Sequence, residues 1–219
     1  MPISKRNTQA HAAYVQIKQR ILAGHLAGSD RLREVEVAEM LGMGRTPVRE
    51  SLKRLEDEGL LTHEPRRGLV VTSLDPQAVS ELYAMREVLE AAAAGFAARN
   101  ATPAEIANME LILAEYGPEA DAVALNLDFH QAIYGAAHNR HLIRSLQSIS
   151  DTTYLLGRST LASRARADIA QQEHLAILAA IRERDAARAS EAARQHIHNA
   201  LLERLKLLRQ VQKQEAGTG

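Results

Sequence analysis

The first 61 residues contain three segments in which apolar side chains recur at helical spacing. Residues 9–24, 34–41 and 44–61 each place them three or four positions apart, as one buried helix face requires. The tripeptide GMG at 42–44 predicts a tight turn between the second and third segments. Two short helices joined by such a glycine-containing turn are typical of a helix-turn-helix unit.

The third of these predicted helices separates its apolar side from a cationic one. Thr46 is predicted to cap its free N–H groups, and Pro47 to take its first helical position. Arg45, Arg49 and Lys53 recur every four residues on one ridge, whereas acidic residues fill the last exposed turn. A polyanion is therefore expected to approach the N-terminal end of this helix and to be repelled by the other end.

After this helix, apolar and polar residues alternate over a short stretch, and the helical spacing of apolar residues then returns. Residues 60–64 and 69–73 predict a two-stranded hairpin with a basic tip, which is the wing of a winged helix. All later segments predict helices, starting at residues 76–100 and at a capping box that begins with Thr102. The fold class predicted is mainly α, with a winged helix-turn-helix domain over residues 8–73 and an all-α helical bundle over residues 74–212.

Composition narrows the classes of function. Hydrophobic residues make up 46% of the 219 residues but aromatic residues only 3%, so the core must be aliphatic and rich in alanine, which favours helix. Cysteine is absent, which excludes disulfides, thiolate metal sites and cysteine nucleophiles. The N-terminus lacks the apolar core of a signal peptide, and no apolar run approaches the ~18 residues of a membrane span. A cytoplasmic protein with no membrane partner is expected.

The segment IKQRILAGHLAGSDRLREVEVAEMLGMGRTPVRESLKRLEDEGLL, with RRGLVV after it, closely resembles the winged helix-turn-helix domain of GntR-family bacterial transcription regulators. The second half is similar to the all-helical, FCD-type effector domain of the FadR-like subgroup. That similarity lies in YAMREVLE (83–90), NLDFHQAIYGAAHN (126–139) and EHLAILAAIRERD (173–185). The resemblance implies a DNA-binding regulator of transcription.

The same resemblance implies which residues contact DNA. One departure is Gly44, where the family more often has a serine whose hydroxyl can contact phosphate. Physical reasoning agrees with arginine at these positions, because arginine suits the O6 and N7 acceptors of guanine. The residues implied are Arg33, Arg45, Thr46 and Arg49, with Arg67 and Gly68 at the tip of the wing.

Three histidines lie on apolar stripes of three different predicted helices: His130, His174 and His196. Such residues can converge on one metal in a helical bundle, although a single core histidine is more often merely hydrogen-bonded. Their match to the subgroup's metal-binding pattern implies a divalent ion, zinc or nickel. The subgroup often has an aspartate as fourth ligand where this chain has Asn126, so weaker binding is expected.

Two arginines of the second half are candidates for binding an effector. The residues alone predict that Arg86 pairs with Glu90 four positions later. The resemblance instead places Arg86 at a central cavity, where effectors of the subgroup are often small organic acids, and arginine suits a carboxylate. Arg158, in a predicted helix with few other charges, is the second candidate.

The function expected is a homodimeric regulator that binds a palindromic site on double-stranded DNA and responds to a small carboxylate effector. A dimer is expected because one winged helix covers too little DNA for useful specificity. One alternative is a regulator for which the metal ion itself is the signal. Another is a metal-dependent hydrolase fused to a DNA-binding domain. No enzyme activity is expected, because no carboxylate is placed as an obvious general base.

Overall fold

The computed structural model describes residues 5–26, 30–157 and 159–217. Within these ranges the chain forms nine α-helices, one short 3₁₀ helix and one two-stranded antiparallel sheet, as the predicted fold class requires. Two compact units are present. The first unit comprises Met1–Leu74 and Ser150–Gly157, and the second comprises Asp75–Ile149 and Arg158–Gly219. None of the described helices combines the length and the apolar character that crossing a membrane requires.

The first unit begins with three helices, α1 (Lys5–Leu22), α2 (Glu34–Leu41) and α3 (Arg45–Asp57). They bury an aliphatic core to which all three contribute, as the apolar spacing predicts. The end of α2 is fixed by Gly42, which takes the left-handed conformation (φ 61°) and donates its N–H to carbonyls of the last turn. The core includes Ile17, Ile21, Val37, Val48, Leu52 and Leu55.

The start of α3 differs from the prediction. Gly44, in extended conformation, is the N-cap, and α3 begins at Arg45 with no side-chain cap hydrogen bond. Thr46 and Pro47 are therefore the second and third residues of the helix, not its cap and first residue. Proline is accepted here because none of the first N–H groups of a helix has an intrahelical partner. The shift places Thr46 and Arg45 together in the exposed first turn.

The wing consists of β1 (Leu61–Glu64) and β2 (Gly68–Val71), paired antiparallel with Leu61 opposite Val71 and Glu64 opposite Gly68. Strand β1 begins one residue later than predicted, whereas β2 begins one residue earlier and ends two residues earlier, within the usual uncertainty of strand ends. Two residues of the turn, Arg66 and Gly68, have positive φ. Of these only glycine takes that conformation without steric cost, which explains the residue found at 68.

The second unit is helical in its described residues, apart from its loops. Asp75 caps α4 through the N–H of Ala78, and Thr102 and Glu105 form the predicted capping box of α5. Helix α7 begins in this unit and ends at Tyr154, and its residues from Ser150 onward are counted with the first unit, as is Gly157 (φ 69°) in the turn that follows. The helices are α4 (Pro76–Asn100), α5 (Pro103–Ala114), α6 (Ala122–Ala136), α7 (Arg140–Tyr154), α8 (Arg164–Arg182) and α9 (Ala186–Gly217), with the 3₁₀ helix Thr160–Ala162 before α8.

In this core, helices α4 and α9 pack closely against each other. The alanines of α4 around Gly95 are fully buried, and a Cβ atom at Gly95 would collide with Ser190 Oγ. The same atom would lie 3.3 Å from the carbonyl oxygen of Ala186. The alanine-rich stretch 91–98 therefore lets two backbones approach closely, as its small side chains predict. This contact joins the two helices that carry Glu90 and His196.

Candidate functional site

The residues predicted to contact DNA are at the surface of the first unit. Arg45, Thr46 and Arg49 are exposed in the first two turns of α3, Arg33 is exposed immediately before α2, and Arg67 is exposed at the wing turn. Exposed N-terminal residues of a recognition helix are the ones that reach base edges in a major groove. The structure thus leaves these side chains available to solvent, as a DNA-contacting role requires.

Each of three exposed arginines of this surface pairs with a glutamate. Arg49 donates from Nε and Nη2 to the two carboxylate oxygens of Glu34, both at 2.7 Å. Arg33 pairs with Glu36 at 3.0 Å and Arg67 with Glu64 at 2.8 Å, in each case three positions away. The hydrogen bond from Arg49 lowers the pKa of Glu34. Exposed pairs of this kind stabilise a fold only slightly, so they can be exchanged for contacts with DNA.

Glu34 is the partner of Arg49 that the sequence analysis missed. Its carboxylate occupies the Nε and Nη2 edge of the Arg49 guanidinium, and Nη1 takes no part in this pair. Fifteen residues separate the two side chains, so no helical spacing relates them. Only the turn between α2 and α3 brings them together.

The three predicted histidines meet in the second unit. His130 lies on α6, His174 on α8 and His196 on α9, and all three are buried. One potential ligand atom from each lies within 4.8 Å of the others. Nε2 of His130 and Nε2 of His196 are 3.2 Å apart. The predicted convergence of three helical stripes is confirmed.

Two of the imidazoles are oriented by carboxylates, of which Glu90 is buried and Glu173 half-buried. Nδ1 of His130 lies 2.6 Å from Glu90 Oε2, and Nδ1 of His196 lies 2.7 Å from Glu173 Oε2. Burial would raise the pKa of Glu90, but His130 and Arg86 outweigh it and hold that pKa well below its usual range. Each of these two rings can donate from Nδ1 to its carboxylate, and its Nε2 then faces the Nε2 of the other ring.

His174 is the third member of the cluster. Its ring is 3% exposed, with its centroid 4.8 Å from that of Phe129 and 4.6 Å from that of His196. Burial and then the neighbouring His196 and His130 lower its pKa well below the usual value, so the ring is neutral. Its Nε2 is buried and has no hydrogen-bond partner among the described residues. An unsatisfied nitrogen of this kind is costly unless something binds it.

The donor set fits a metal ion. Two facing lone pairs at 3.2 Å repel each other unless a proton or a cation lies between them, and the orphaned Nε2 of His174 belongs to the same group. Nitrogen donors backed by carboxylates are the usual surroundings of zinc and other borderline divalent ions. Asn126 is half-buried and lines a small internal space together with His174, Leu161 and Ala170.

The two candidates for binding an effector are Arg86 and Arg158. Arg86 donates from Nε and Nη2 to Glu90 Oε1 at 3.3 and 2.8 Å, which is the ion pair that spacing alone predicts. Arg158 lies outside the described residues. The sequence analysis missed Glu173 and Arg166, which form a second, partly buried pair at 2.9 Å. Each carboxylate that orients a histidine is thus held in turn by an arginine.

The fold and this site together define a class: a winged-helix DNA-binding protein with a helical domain built around a histidine cluster. A family model described as bacterial regulatory proteins, gntR family, matches residues 9–71, and a model of the FCD domain matches residues 81–199. The chain belongs to the GntR family of bacterial transcription regulators and carries an FCD domain. These proteins are regulators and not enzymes, which excludes the hydrolase alternative.

Several known proteins are similar over most of the chain. The HTH-type transcriptional regulator YdhC of Bacillus subtilis (strain 168) is 30% identical over 191 residues, 84% of each chain. The Nta operon transcriptional regulator of Aminobacter aminovorans is 34% identical over 132 residues, 58% of this chain and 63% of that protein. The solved structure of a GntR transcriptional regulator from Rhodococcus sp. RHA1 shares the fold, with a TM-score of 0.74 at 19% identity over 91% of this chain and 98% of that one.

Proposed function

We propose that this regulator binds a palindromic operator as a homodimer and that a small organic acid, bound beside a metal in the second unit, changes its affinity for DNA. Membership of the GntR family with an FCD domain supports effector-modulated DNA binding. The single observation that carries the rest is the buried cluster of three histidines with an orphaned Nε2 and two carboxylate-backed rings. A core that needed only packing would not contain four buried or nearly buried charged groups.

On DNA, the first unit presents a recognition helix and a wing. Arg45, Thr46 and Arg49 are proposed to enter the major groove with the exposed end of α3, while Arg33 contacts the adjacent backbone. Arg67 and Gly68 are proposed to enter the minor groove, where the positive φ of Gly68 lets the wing turn tightly. Support comes from the exposure of these arginines and from the absence of a core role for them.

In the second unit, His130, His174 and His196 are proposed to bind zinc or nickel, with the carbonyl oxygen of Asn126 as a fourth ligand. Such an ion, when bound, supplies a Lewis-acidic position for an oxygen of the effector. Glu90 and Glu173 keep the Nδ1 protons on their histidines, so Nε2 stays a donor to the ion. The neutral amide of Asn126 leaves more positive charge on the site than the aspartate of the subgroup would, which favours an anionic effector.

The test begins with selection of operators from a randomised duplex library by the full-length protein. Recovery of a palindromic sequence, a dimeric mass on that duplex and one equivalent of zinc or nickel per chain support the proposal. A monomeric mass with and without the selected duplex contradicts the dimer. Operator affinity is then measured with the metal removed by a chelator and with it restored, both in the absence of organic acids. A large change on adding the metal alone identifies the ion as the signal instead.

A further inference from the structure

The segment that precedes α2 runs alongside the second strand of the wing. The N–H of Leu32 donates to the carbonyl oxygen of Leu69 at 2.8 Å. Arg31 lies opposite Val70 in an antiparallel bridge. Arg31 is therefore part of the wing, although it precedes α2 in the sequence and is separated from β1 by the helix-turn-helix unit.

The side chain of Arg31 extends toward the turn of the wing. In an antiparallel pair, the residue directly opposite and the residue two positions further along share one face of the sheet. Val70 is opposite Arg31, so Gly68 at the turn lies on the same face. A Cβ atom at Gly68 would lie 3.8 Å from both Nε and Nη2 of Arg31. The guanidinium is thus beside the backbone of Gly68.

The charge of Arg31 is not compensated within the part of the chain that the structure describes. Its exposed guanidinium makes no ion pair and no hydrogen bond with a described residue. Arg33, Arg49 and Arg67, in contrast, each pair with a glutamate at 3.0 Å or less. An arginine that is paired must exchange its glutamate for DNA, and the released carboxylate then repels the phosphates. Arg31 can contact DNA without either cost.

The position of this guanidinium indicates what it can read on DNA. The wing turn is proposed to enter the minor groove with Arg67 and Gly68, and Arg31 beside Gly68 would enter with it. A·T pairs present only the acceptors N3 and O2 in the minor groove, whereas guanine adds its N2 amino donor. A guanidinium has donors only, and the narrow minor groove of A-tracts attracts arginine through its enhanced negative potential. Arg31 in this groove therefore favours A·T over G·C.

We propose that Arg31 enters the minor groove beside the wing turn and gives the protein a preference for A·T base pairs at that part of the operator. This rests on the proposed DNA-binding function and deepens it, because it names the class of base pair that the wing reads. The bases read in the major groove by α3 are not affected by this contact. Arg66, at the turn itself, contributes attraction to phosphates, which is independent of sequence.

The experiment uses the full-length protein. Operators are selected from a randomised duplex library by the parent and by Arg31→Ala, and the A·T pairs enriched by the parent alone are identified. Duplexes are then made with G·C or inosine·cytosine at these pairs. Inosine is guanosine without the N2 amino group, so its pair with cytosine resembles A·T in the minor groove and G·C in the major groove. Arg144→Ala removes an exposed arginine of the second unit and is the control for net charge.

We expect the parent to prefer A·T to G·C at these pairs about 10-fold and to bind the inosine duplex like the A·T duplex. Arg31→Ala should bind all three duplexes alike, and its melting temperature should match that of the parent because the side chain makes no hydrogen bond with a described residue. Arg66→Ala should bind every duplex more weakly but keep the preference for A·T. Arg144→Ala should bind like the parent.

Two results would overturn the inference. One is an A·T preference in Arg31→Ala equal to that of the parent, including identical sequences from the two selections. The other is rejection of the inosine duplex as strong as rejection of the G·C duplex, which would place the discrimination in the major groove. Either result leaves the proposed function intact if the parent still selects a palindrome. If the parent selects no sequence at all, the proposed DNA-binding function fails together with the role of Arg31.

Discussion

Neutralising Glu90 is the sharpest perturbation of the buried site. The carboxylate is 4% exposed, accepts two hydrogen bonds from Arg86 on one oxygen and faces Nδ1 of His130 with the other. Glu90→Gln keeps the shape but leaves the Arg86 guanidinium without a counter-charge in a side chain only 16% exposed. Breaking a buried pair by removing one partner costs about 3–5 kcal/mol. For a domain of this size, that corresponds to a fall of about 10 °C in melting temperature.

The same change should weaken metal binding. A glutamine can accept from Nδ1 of His130 only weakly and without charge, so the tautomer with Nε2 free is less favoured, and zinc affinity should fall about 10- to 100-fold. Glu81→Gln, an exposed position on the same helix, is the matched control and should melt and bind zinc like the parent. The assays are thermal denaturation followed by circular dichroism and competition for zinc with a chromogenic chelator. If Glu90→Gln melts within about 2 °C of the parent and keeps its zinc affinity, the contacts of Glu90 with Arg86 and His130 contribute nothing to stability or to metal binding.

Four further outcomes are expected. Arg49→Ala should lower the ratio of operator to random-duplex affinity about 10- to 100-fold in binding titrations, because a base contact is lost, whereas Arg66→Ala should weaken both duplexes alike. His174→Ala should abolish stoichiometric zinc, measured by mass spectrometry, while operator affinity stays within a few-fold of the parent. Asn126→Asp should tighten zinc binding in the same competition assay, since it adds a negative charge beside the ion. Glu58→Gln should flatten the loss of stability at acid pH. Although burial opposes it, hydrogen bonds lower the folded pKa of Glu58, so its contribution is present above the unfolded pKa of about 4.3 and disappears as pH falls.

Helix ends that are set by capping residues were predicted closely from the sequence. The bounds of α2 and α4 match the predicted 34–41 and 76–100, because Gly42 ends one helix and Asp75 and Pro76 begin the other. The start of α3 was wrong because Thr46 and Pro47 satisfy the rules for a cap and first residue, yet extended Gly44 takes the cap position. The convergence of three histidines was predictable from their apolar stripes, since each stripe must face the same core.

Residues that act through long-range pairs could not be found in this way. Glu173 directly precedes His174, so it lies on a neighbouring face of α8. Its carboxylate contacts Nδ1 of His196, which belongs to another helix. Arg166 could not be identified from the sequence, because its buried nitrogens without hydrogen-bond partners are a property of the folded surroundings and not of residue spacing. The contact between Glu34 and Arg49 depends on the angle between α2 and α3. The glycine turn predicts that the two helices meet, but it does not predict which of their side chains touch.

The contact at Gly95 has a consequence for how this protein family can vary. A methyl group at position 95 and the hydroxyl group of the serine at position 190 compete for one volume, so the two positions are not free to change independently. In related sequences, alanine at 95 is expected where 190 is alanine or glycine, because the Cβ atom at 190 lies at an ordinary contact distance of 3.8 Å. Because the carbonyl oxygen of Ala186 also borders that volume, nothing larger than alanine should occur even then. An alignment of homologues would therefore record this helix crossing as a pair of covarying columns that contain only the smallest residues.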